Sequence, residues 1–292
     1  MAAFSTSDAA FEGFRVISSK PKAYLAWAGL FFVVSALAAA AFVHVAGDDF
    51  MTLQAISAEE EPDLARHAAL FERMAPVLVV MMAAGMAAYA VIATAILRAT
   101  LRPAEREPFH LALGATELRQ FGVTALLNFA LFLVVFATVV VSSALATANV
   151  MLGLAAQLAG VGFVGYVMAR LSLALPASFS AGRIVGLFSA WRLSSKAGWS
   201  LFGAYVLAGA LTVVIAIVAL IAVMAAFAGG LDPETLRGLM EPDTSGLATY
   251  FTPYRWVVQA VSALLWSFAY VMIVGASAHA YRAIALERGE HP

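Results

Sequence analysis

The stretch from Ser200 to Gly229 reads SLFGAYVLAGALTVVIAIVALIAVMAAFAG and contains no charged residue. A helix needs about 20 apolar residues to cross the hydrocarbon core of a bilayer. Lipid offers the backbone N–H and C=O groups no hydrogen-bond partner, so a stretch of this kind must pair them internally as an α-helix. The sequence therefore predicts a membrane-spanning helix here.

Five further stretches meet the same criterion and predict an all-α membrane protein with six transmembrane helices. The predicted spans are 23–47, 76–97, 121–147, 150–175, 200–229 and 256–281. Of the 292 residues, 63% are hydrophobic and 12% are charged, against about 45–50% and about 25% in soluble domains. We interpret residues 1–292 as a single six-helix membrane domain.

The distribution of basic residues predicts the orientation of these helices. If both termini are cytoplasmic, 13 Lys and Arg residues lie on the inner side and 4 on the outer side. Basic residues are retained in the cytoplasm during insertion. We therefore predict cytoplasmic N and C termini, cytoplasmic basic connectors at 98–120 and 176–199, and extracytoplasmic acidic loops at 48–75 and 230–255.

Two segments outside the spans predict short amphipathic interfacial helices. Residues 8–19 place Phe11, Phe14 and Ile17 on one side, which suits either a helix in the inner interface or a frayed lead-in to the first span. In the second connector, one helix face would carry residues spaced at i, i+3, i+4 and i+7. These residues are Ile184, Leu187, Phe188 and Trp191.

The second connector is also uniformly basic, because residues 170–199 include no Asp or Glu. A basic strip beside an apolar face favours binding to anionic lipid headgroups or to an acidic partner. Ordinary orientation signalling plus packing against the bundle would explain the same charges. The predicted lipid-binding or partner-binding residues are Arg98, Arg102, Arg170, Arg183, Trp191, Arg192 and Lys196.

The two cytoplasmic connectors resemble each other in outline. Arg98 and Pro103 follow the second span much as Arg170 and Pro176 follow the fourth, and each proline is expected to halt its helix. This similarity favours a duplicated helix–connector–helix unit, which some transporters contain.

Glycines in the fourth span match a dinucleotide-binding pattern, GVGFVG at 160–165. That motif requires a preceding strand and a helix N-terminus at the pyrophosphate, whereas these glycines lie in the middle of a span. We interpret them as a helix-packing face that allows close approach of a neighbouring helix. The predicted packing residues are Gly153, Gly160, Gly165 and Ala169, and no cofactor is predicted.

Other chemical motifs are missing from the sequence. There is no cysteine and no metalloprotease, P-loop or nucleophile-elbow motif. Asp63 and His67 are four residues apart, but a solvated acidic face explains them as well as a cation site does. No catalytic residue, no metal site and no nucleic-acid partner is predicted.

One stretch is similar to a group of multi-span bacterial inner-membrane proteins. It reads RLSLALPA at 170–177, GR at 182–183, SAWRLS at 189–194 and GW at 198–199. The group includes the membrane domain of some glycerophosphodiester phosphodiesterases, and the resemblance is strongest over 170–203. It implies a multi-pass protein of the bacterial inner membrane without enzymatic activity, since the soluble phosphodiesterase domain is not part of this sequence.

These observations lead to two functional hypotheses. The first is a non-catalytic accessory or scaffold protein that associates with anionic headgroups on the cytoplasmic side, with a membrane-protein partner or with a second copy of itself. The alternative is a passive or lipid-handling transporter with a path between duplicated halves. A lipid-modifying enzyme comes third, because no acid–base or metal constellation is present.

The orientation can be tested with reporter fusions along the chain. Because of the 13-to-4 distribution of Lys and Arg, fusions within 48–75 and 230–255 should report an extracytoplasmic location, and fusions at both termini a cytoplasmic one. A cytoplasmic signal from residues 59–63 would contradict the predicted orientation.

Overall fold

The computed structural model describes residues 4–57, 63–105, 108–227 and 243–289. All regular secondary structure in these residues is helical, with a 3₁₀ turn at Pro108–His110. The helices are α1 Thr6–Ser19, α2 Pro21–Ser57, α3 Leu64–Leu101, α4 Ala115–Ala148, α5 Val150–Leu171, α6 Ala174–Ala181, α7 Leu187–Leu193, α8 Gly198–Phe227, α9 Leu247–Tyr250 and α10 Pro253–Glu287.

Six helical segments are long and apolar enough to cross a membrane, which confirms the predicted number of candidate spans. They are Pro21–Ser57, Leu64–Leu101, Pro108–Ala148, Val150–Ala181, Gly198–Val223 and Pro253–Glu287. The protein is therefore an all-helical, multi-pass membrane protein. The orientation of the termini and the interfacial location of the short helices stay predictions.

The first predicted acidic loop, 48–75, is largely helical in the structure. Helix α2 continues to Ser57 and α3 begins at Leu64. The Asp63 carboxylate accepts hydrogen bonds from the backbone N–H groups of Ala65 and Arg66, at 3.0 and 3.1 Å. Asp63 thus caps α3 by satisfying two free donors of its first turn, a role that sequence reasoning did not assign to it. Residues 228–242, most of the second predicted loop, lie outside the described residues.

The chain forms two compact units, and the single six-helix domain stays a prediction. Unit 1 comprises Met1–Tyr24, Tyr89–Thr212 and Phe268–Pro292, and unit 2 comprises Leu25–Ala88 and Val213–Ser267. In unit 1, buried small and apolar side chains form a core that includes Ala9, Leu201 and Ala280. In unit 2, Met74 and Val77 belong to a smaller buried cluster.

Helix α1 is packed tightly within unit 1 and is not a frayed lead-in. Its buried residues are Ala9, Ala10, Gly13 and Val16, whereas the predicted apolar side is only partly covered, with Phe11 exposed. A Cβ at Gly13 would lie 2.6 Å from the Cα of Met272 in α10. The small residues are buried because they let the two helix backbones approach closely.

Helices α4 and α5 form a tightly packed hairpin in unit 1. Added Cβ atoms at Gly153 and Gly160 would overlap Ala146 and Thr138 of α4. A Cβ at Gly165 would instead meet a ring atom of Phe202 in α8 at 3.2 Å, and Ala169 belongs to the core of unit 1. The predicted packing face of α5 therefore contacts two different helices.

The hairpin offers a matched pair of substitutions. Gly160→Leu should lower the free energy of unfolding by about 1–3 kcal/mol, because the new side chain overlaps Thr138. Gly162→Leu should cost much less, since nothing lies within 4 Å of its Cβ position. Thermal unfolding of the two variants in detergent would compare them, and equal midpoints would contradict the packing role.

Candidate functional site

The connector between α5 and α8 consists of two short helices and a turn. The sequence-based prediction of one amphipathic helix carrying Ile184 and Trp191 on the same face is wrong. Gly182 ends α6 in the left-handed conformation, with φ of 64°, which is a usual helix terminator. The backbone N–H of Val185 then donates to Ser178 Oγ at 2.9 Å, so Ile184 lies in a turn ahead of α7.

Pro176 does not halt a helix as predicted. Helix α5 has already ended at Leu171, and Pro176 is the third residue of α6. Proline is tolerated in the first turn of a helix. The N–H group that proline lacks would have no intrahelical acceptor at this position.

A cavity of about 370 Å³ lies in unit 1 between α6, the following turn, α7 and the end of α10. We call it the arginine pocket. Its polar lining residues are Arg183, Ser189, Arg192, Tyr281 and Arg288. The remaining lining residues are Ala177, Ala181, Ile184, Val185, Gly186 and Leu193.

Local structure explains why these polar groups converge. Ser189 and Arg192 are three residues apart on α7, so they lie on neighbouring positions of one helix face. Tyr281 is on α10 and Arg288 directly follows its last residue, two turns further along. The backbone N–H of Arg288 donates to the carbonyl of Ala285 at 3.0 Å, which continues the helical path to this residue.

The arginine pocket carries positive charge that its own lining leaves uncompensated. None of its lining residues within the described part of the chain is acidic. Among the described residues, no carboxylate pairs with Arg183, Arg192 or Arg288. Guanidinium groups present forked N–H donors that match the oxygens of phosphate. The arrangement can therefore bind a phosphate or another oxyanion.

Arg170, which the sequence predicted to bind headgroups, is buried and anchors α7 instead. Its Nε donates to Ser194 Oγ at 3.0 Å and its terminal nitrogen to the Trp191 carbonyl at 2.5 Å. The guanidinium also lies 3.8 Å from the centre of the Trp191 ring, a cation–π contact. Arg170 and Trp191 thus contact each other, and neither lines the pocket.

Arg98 is likewise buried, with 7% exposure, so little of its side chain is accessible to a ligand. Its guanidinium lies 2.5 Å from Glu117 Oε1 and 3.7 Å from Glu105 Oε2, and donates to the carbonyl of His110 at 3.1 Å. Phe109 and His110 have positive φ angles of 54° and 59°, which is unusual for non-glycine residues. The bond from Arg98 helps to hold this turn.

The other predicted residues lie in different places. Arg102 pairs with Glu105 at 3.3 Å and lies 4.7 Å from the centre of the Phe179 ring. Lys196 is exposed between α7 and α8 and does not line the pocket. Of the seven predicted residues, only Arg183 and Arg192 contribute to the arginine pocket.

Sequence reasoning missed Ser189, Tyr281 and Arg288. Arg288 was recognised only as an inner-side charge, because nothing in the sequence shows that the end of α10 reaches the connector, about 100 residues earlier. The sequence signal that could have pointed to Arg288 was the presence of basic side chains after the last span.

The described residues hold no evident metal centre. In the ranges given above, no three His, Asp or Glu side chains are grouped so that they could hold a metal ion. His67 Nδ1 lies 2.7 Å from the Asp63 carbonyl, and its Nε2 lies 3.3 Å from Ser57 Oγ. Both ring nitrogens are therefore within hydrogen-bonding distance of polar protein atoms.

The buried ion pair predicts a clear difference between two neighbouring arginines. Arg98→Gln leaves the buried carboxylate of Glu117 without its guanidinium, which should cost about 3–5 kcal/mol of unfolding free energy. Arg102→Gln breaks a half-exposed pair and should cost about 1 kcal/mol or less. Chemical unfolding in detergent would measure both.

The double variant Arg98→Gln/Glu117→Gln provides the control. It removes both charges and should recover most of the lost stability. If Arg98→Gln costs no more than Arg102→Gln, the buried pair does not have the structural role described here.

Comparison with protein-family models, with curated proteins and with solved structures finds no match. The resemblance to the membrane domain of glycerophosphodiester phosphodiesterases is accordingly not supported by any of these comparisons. What is established is an all-helical, multi-pass membrane protein that carries an arginine-lined pocket.

Proposed function

We propose that the protein is a non-catalytic integral membrane protein of the bacterial inner membrane that binds anionic lipid headgroups in the arginine pocket. In this proposal it serves as an accessory or scaffold component. The observation that carries the proposal is a cavity lined by Arg183, Arg192 and Arg288 and, among the described residues, by no carboxylate. Three uncompensated guanidinium groups make the pocket favourable for an anion.

Exposed apolar side chains beside the pocket favour a lipid over a soluble anion. Ile184 lines the pocket and is 49% exposed, and Phe188, next to Ser189 on α7, is 88% exposed. Trp199 at the start of α8, which does not line the pocket, is also exposed. Aromatic residues of this kind are enriched at membrane–water interfaces, where lipid headgroups and the first acyl carbons would meet them.

The predicted orientation supports the same occupant. The pocket residues Arg183 and Arg192 belong to the connector that the Lys and Arg distribution assigns to the cytoplasmic side. The cytoplasmic leaflet carries anionic lipids, and each basic residue near it contributes about 1 kcal/mol of attraction.

The transporter alternative has less support. It depended on duplicated halves, for which Arg98 and Arg170 were the main signal. Arg98 pairs with carboxylates, whereas Arg170 binds a hydroxyl, a carbonyl and an indole ring. Both arginines are buried and donate to a backbone carbonyl of the following connector, but their other partners differ, so the resemblance between the connectors is only partial.

The pocket can be distinguished from a diffuse basic surface by comparing single charges. We expect Arg288→Gln to weaken the binding of phosphatidylglycerol about fivefold, the equivalent of about 1 kcal/mol per charge. Arg183→Gln/Arg192→Gln should weaken it further. Lys196→Gln removes the same charge outside the pocket and should have little effect. Native mass spectrometry of the detergent-solubilised protein, titrated with phosphatidylglycerol or phosphatidylcholine, would measure binding.

Two controls complete the experiment. Lys22→Gln removes an exposed charge far from the connector in sequence and should behave as wild type. Added salt should weaken the preference for phosphatidylglycerol in the wild type. The proposal fails if the wild type shows no preference for the anionic lipid, or if Lys196→Gln weakens binding as much as Arg288→Gln does.

A further inference from the structure

A second cavity of about 370 Å³ lies in unit 1 between α1, the end of α3 and α10. We call it the α1–α10 cavity. None of its residues lines the arginine pocket. Its polar lining residues are Glu12, Arg15, Thr100, His279 and Arg282, and its apolar ones are Leu101, Ala278, Ala283 and Leu286.

The carboxylate in this cavity is already engaged. Glu12 Oε2 lies 3.0 Å from an Arg15 nitrogen and 3.4 Å from His279 Nδ1. Hydrogen bonding from His279, ahead of that from Arg15, holds the pKa of Glu12 below its usual value despite partial burial. Glu12 is therefore ionised at neutral pH. Its partner Arg15 also binds Asp8 at 3.0 Å, so two carboxylates neutralise this guanidinium.

Two side chains in the cavity, Arg282 and His279, have polar atoms that could bind a ligand. Arg282 is exposed and has no carboxylate partner among the described residues. His279 directs Nδ1 towards Glu12, and its Nε2 forms no hydrogen bond within the described part of the chain. Residues 279 and 282 are three apart on α10, so their side chains are neighbours on one helix face.

Glu12 determines how His279 can act. A neutral imidazole that donates Nδ1–H to a carboxylate keeps a lone pair on Nε2, which repels an anion. A protonated imidazole carries a donor on Nε2 instead, while Glu12 stabilises its positive charge. An anion bound beside Arg282 would therefore favour the protonated form of His279.

We propose that the α1–α10 cavity binds a phosphate group between Arg282 and protonated His279, and that His279 takes up a proton when the phosphate binds. The charged groups facing the imidazole are Glu12 and Arg15 from α1 and Arg282 from α10. Helix α3 contributes Thr100 and Leu101, which do not titrate. The phosphate belongs either to a lipid headgroup or to a free anion, and binding tightens as the pH falls. This site is independent of the arginine pocket.

Sulfate is a suitable probe, because it stays a dianion across the pH range in which histidine titrates. Thermal unfolding of the detergent-solubilised protein would be followed against sulfate concentration at pH about 6 and about 8, with chloride at equal ionic strength as the reference. Protonated His279 would add a charge-assisted hydrogen bond to the anion, and neutral His279 would not. We expect the apparent sulfate affinity of the α1–α10 cavity to be at least about tenfold weaker at the higher pH.

Variants separate this site from the arginine pocket, whose described lining residues include no histidine. Arg282→Gln should abolish the pH-dependent stabilisation by sulfate. His279→Gln should abolish the pH dependence, because glutamine does not titrate. Lys22→Gln, an exposed change outside both cavities, should match the wild type. Both cavity side chains are at least partly exposed, so these variants are expected to fold.

The source of the phosphate is tested with the same variants in nanodiscs. The nanodiscs would contain phosphatidylcholine doped with phosphatidic acid. If the phosphate belongs to a lipid, native mass spectrometry should detect less phosphatidic acid bound to Arg282→Gln than to the wild type. If the ligand is a free phosphate, Arg282→Gln should bind phosphatidic acid as the wild type does. Only its stabilisation by inorganic phosphate should be lost. The proposal is overturned if the wild type shows no pH-dependent stabilisation by sulfate, or if Arg282→Gln retains it.

Discussion

Lipid cannot form hydrogen bonds with peptide groups, and the rest of this structure depends on that constraint. Every long apolar stretch pairs its backbone internally as a helix, and where a helix begins or ends, polar side chains or water must bind the N–H and C=O groups that lack an intrahelical partner. Asp63 does this at the start of α3, where its carboxylate accepts two backbone N–H groups. Asn149 does it between α4 and α5, where its side chain accepts the N–H of Met151 at 2.8 Å.

The connectors show how buried arginines organise the chain once the helices are in place. A buried guanidinium must have its donors satisfied, since an unpaired buried charge is costly. Arg98 is satisfied by Glu117 and by the His110 carbonyl, which orders the turn before α4. Arg170 is satisfied by Ser194 and Trp191, which holds α7 against the end of α5. Arg183 and Arg192, by contrast, have no carboxylate partner within the part of the chain that the structure describes.

Helix α10 contributes to both cavities of unit 1 from different faces. Tyr281, with Arg288 just beyond the helix, lines the arginine pocket, while His279 and Arg282 line the α1–α10 cavity. The two sites differ in electrostatics. Among the described residues, the charged side chains that line the first are all arginines, whereas the second combines a histidine with an ionised carboxylate.

The sequence by itself determined the class of the protein and the number of candidate spans. The length and apolarity of each stretch are local properties, and a long apolar stretch in lipid must form a helix to pair its backbone groups. It also identified Arg183 and Arg192 as uncompensated, since no acidic residue lies near them along the chain. Only the tertiary structure decided that Arg98 and Arg170 are buried anchors, that Gly182 and the Ser178 hydroxyl break the predicted amphipathic helix, and that Arg288 joins the pocket. Those outcomes depend on contacts between residues far apart in sequence, which periodicity and composition cannot encode. The division into two units was equally hidden, because each of its boundaries falls inside a continuous apolar helix.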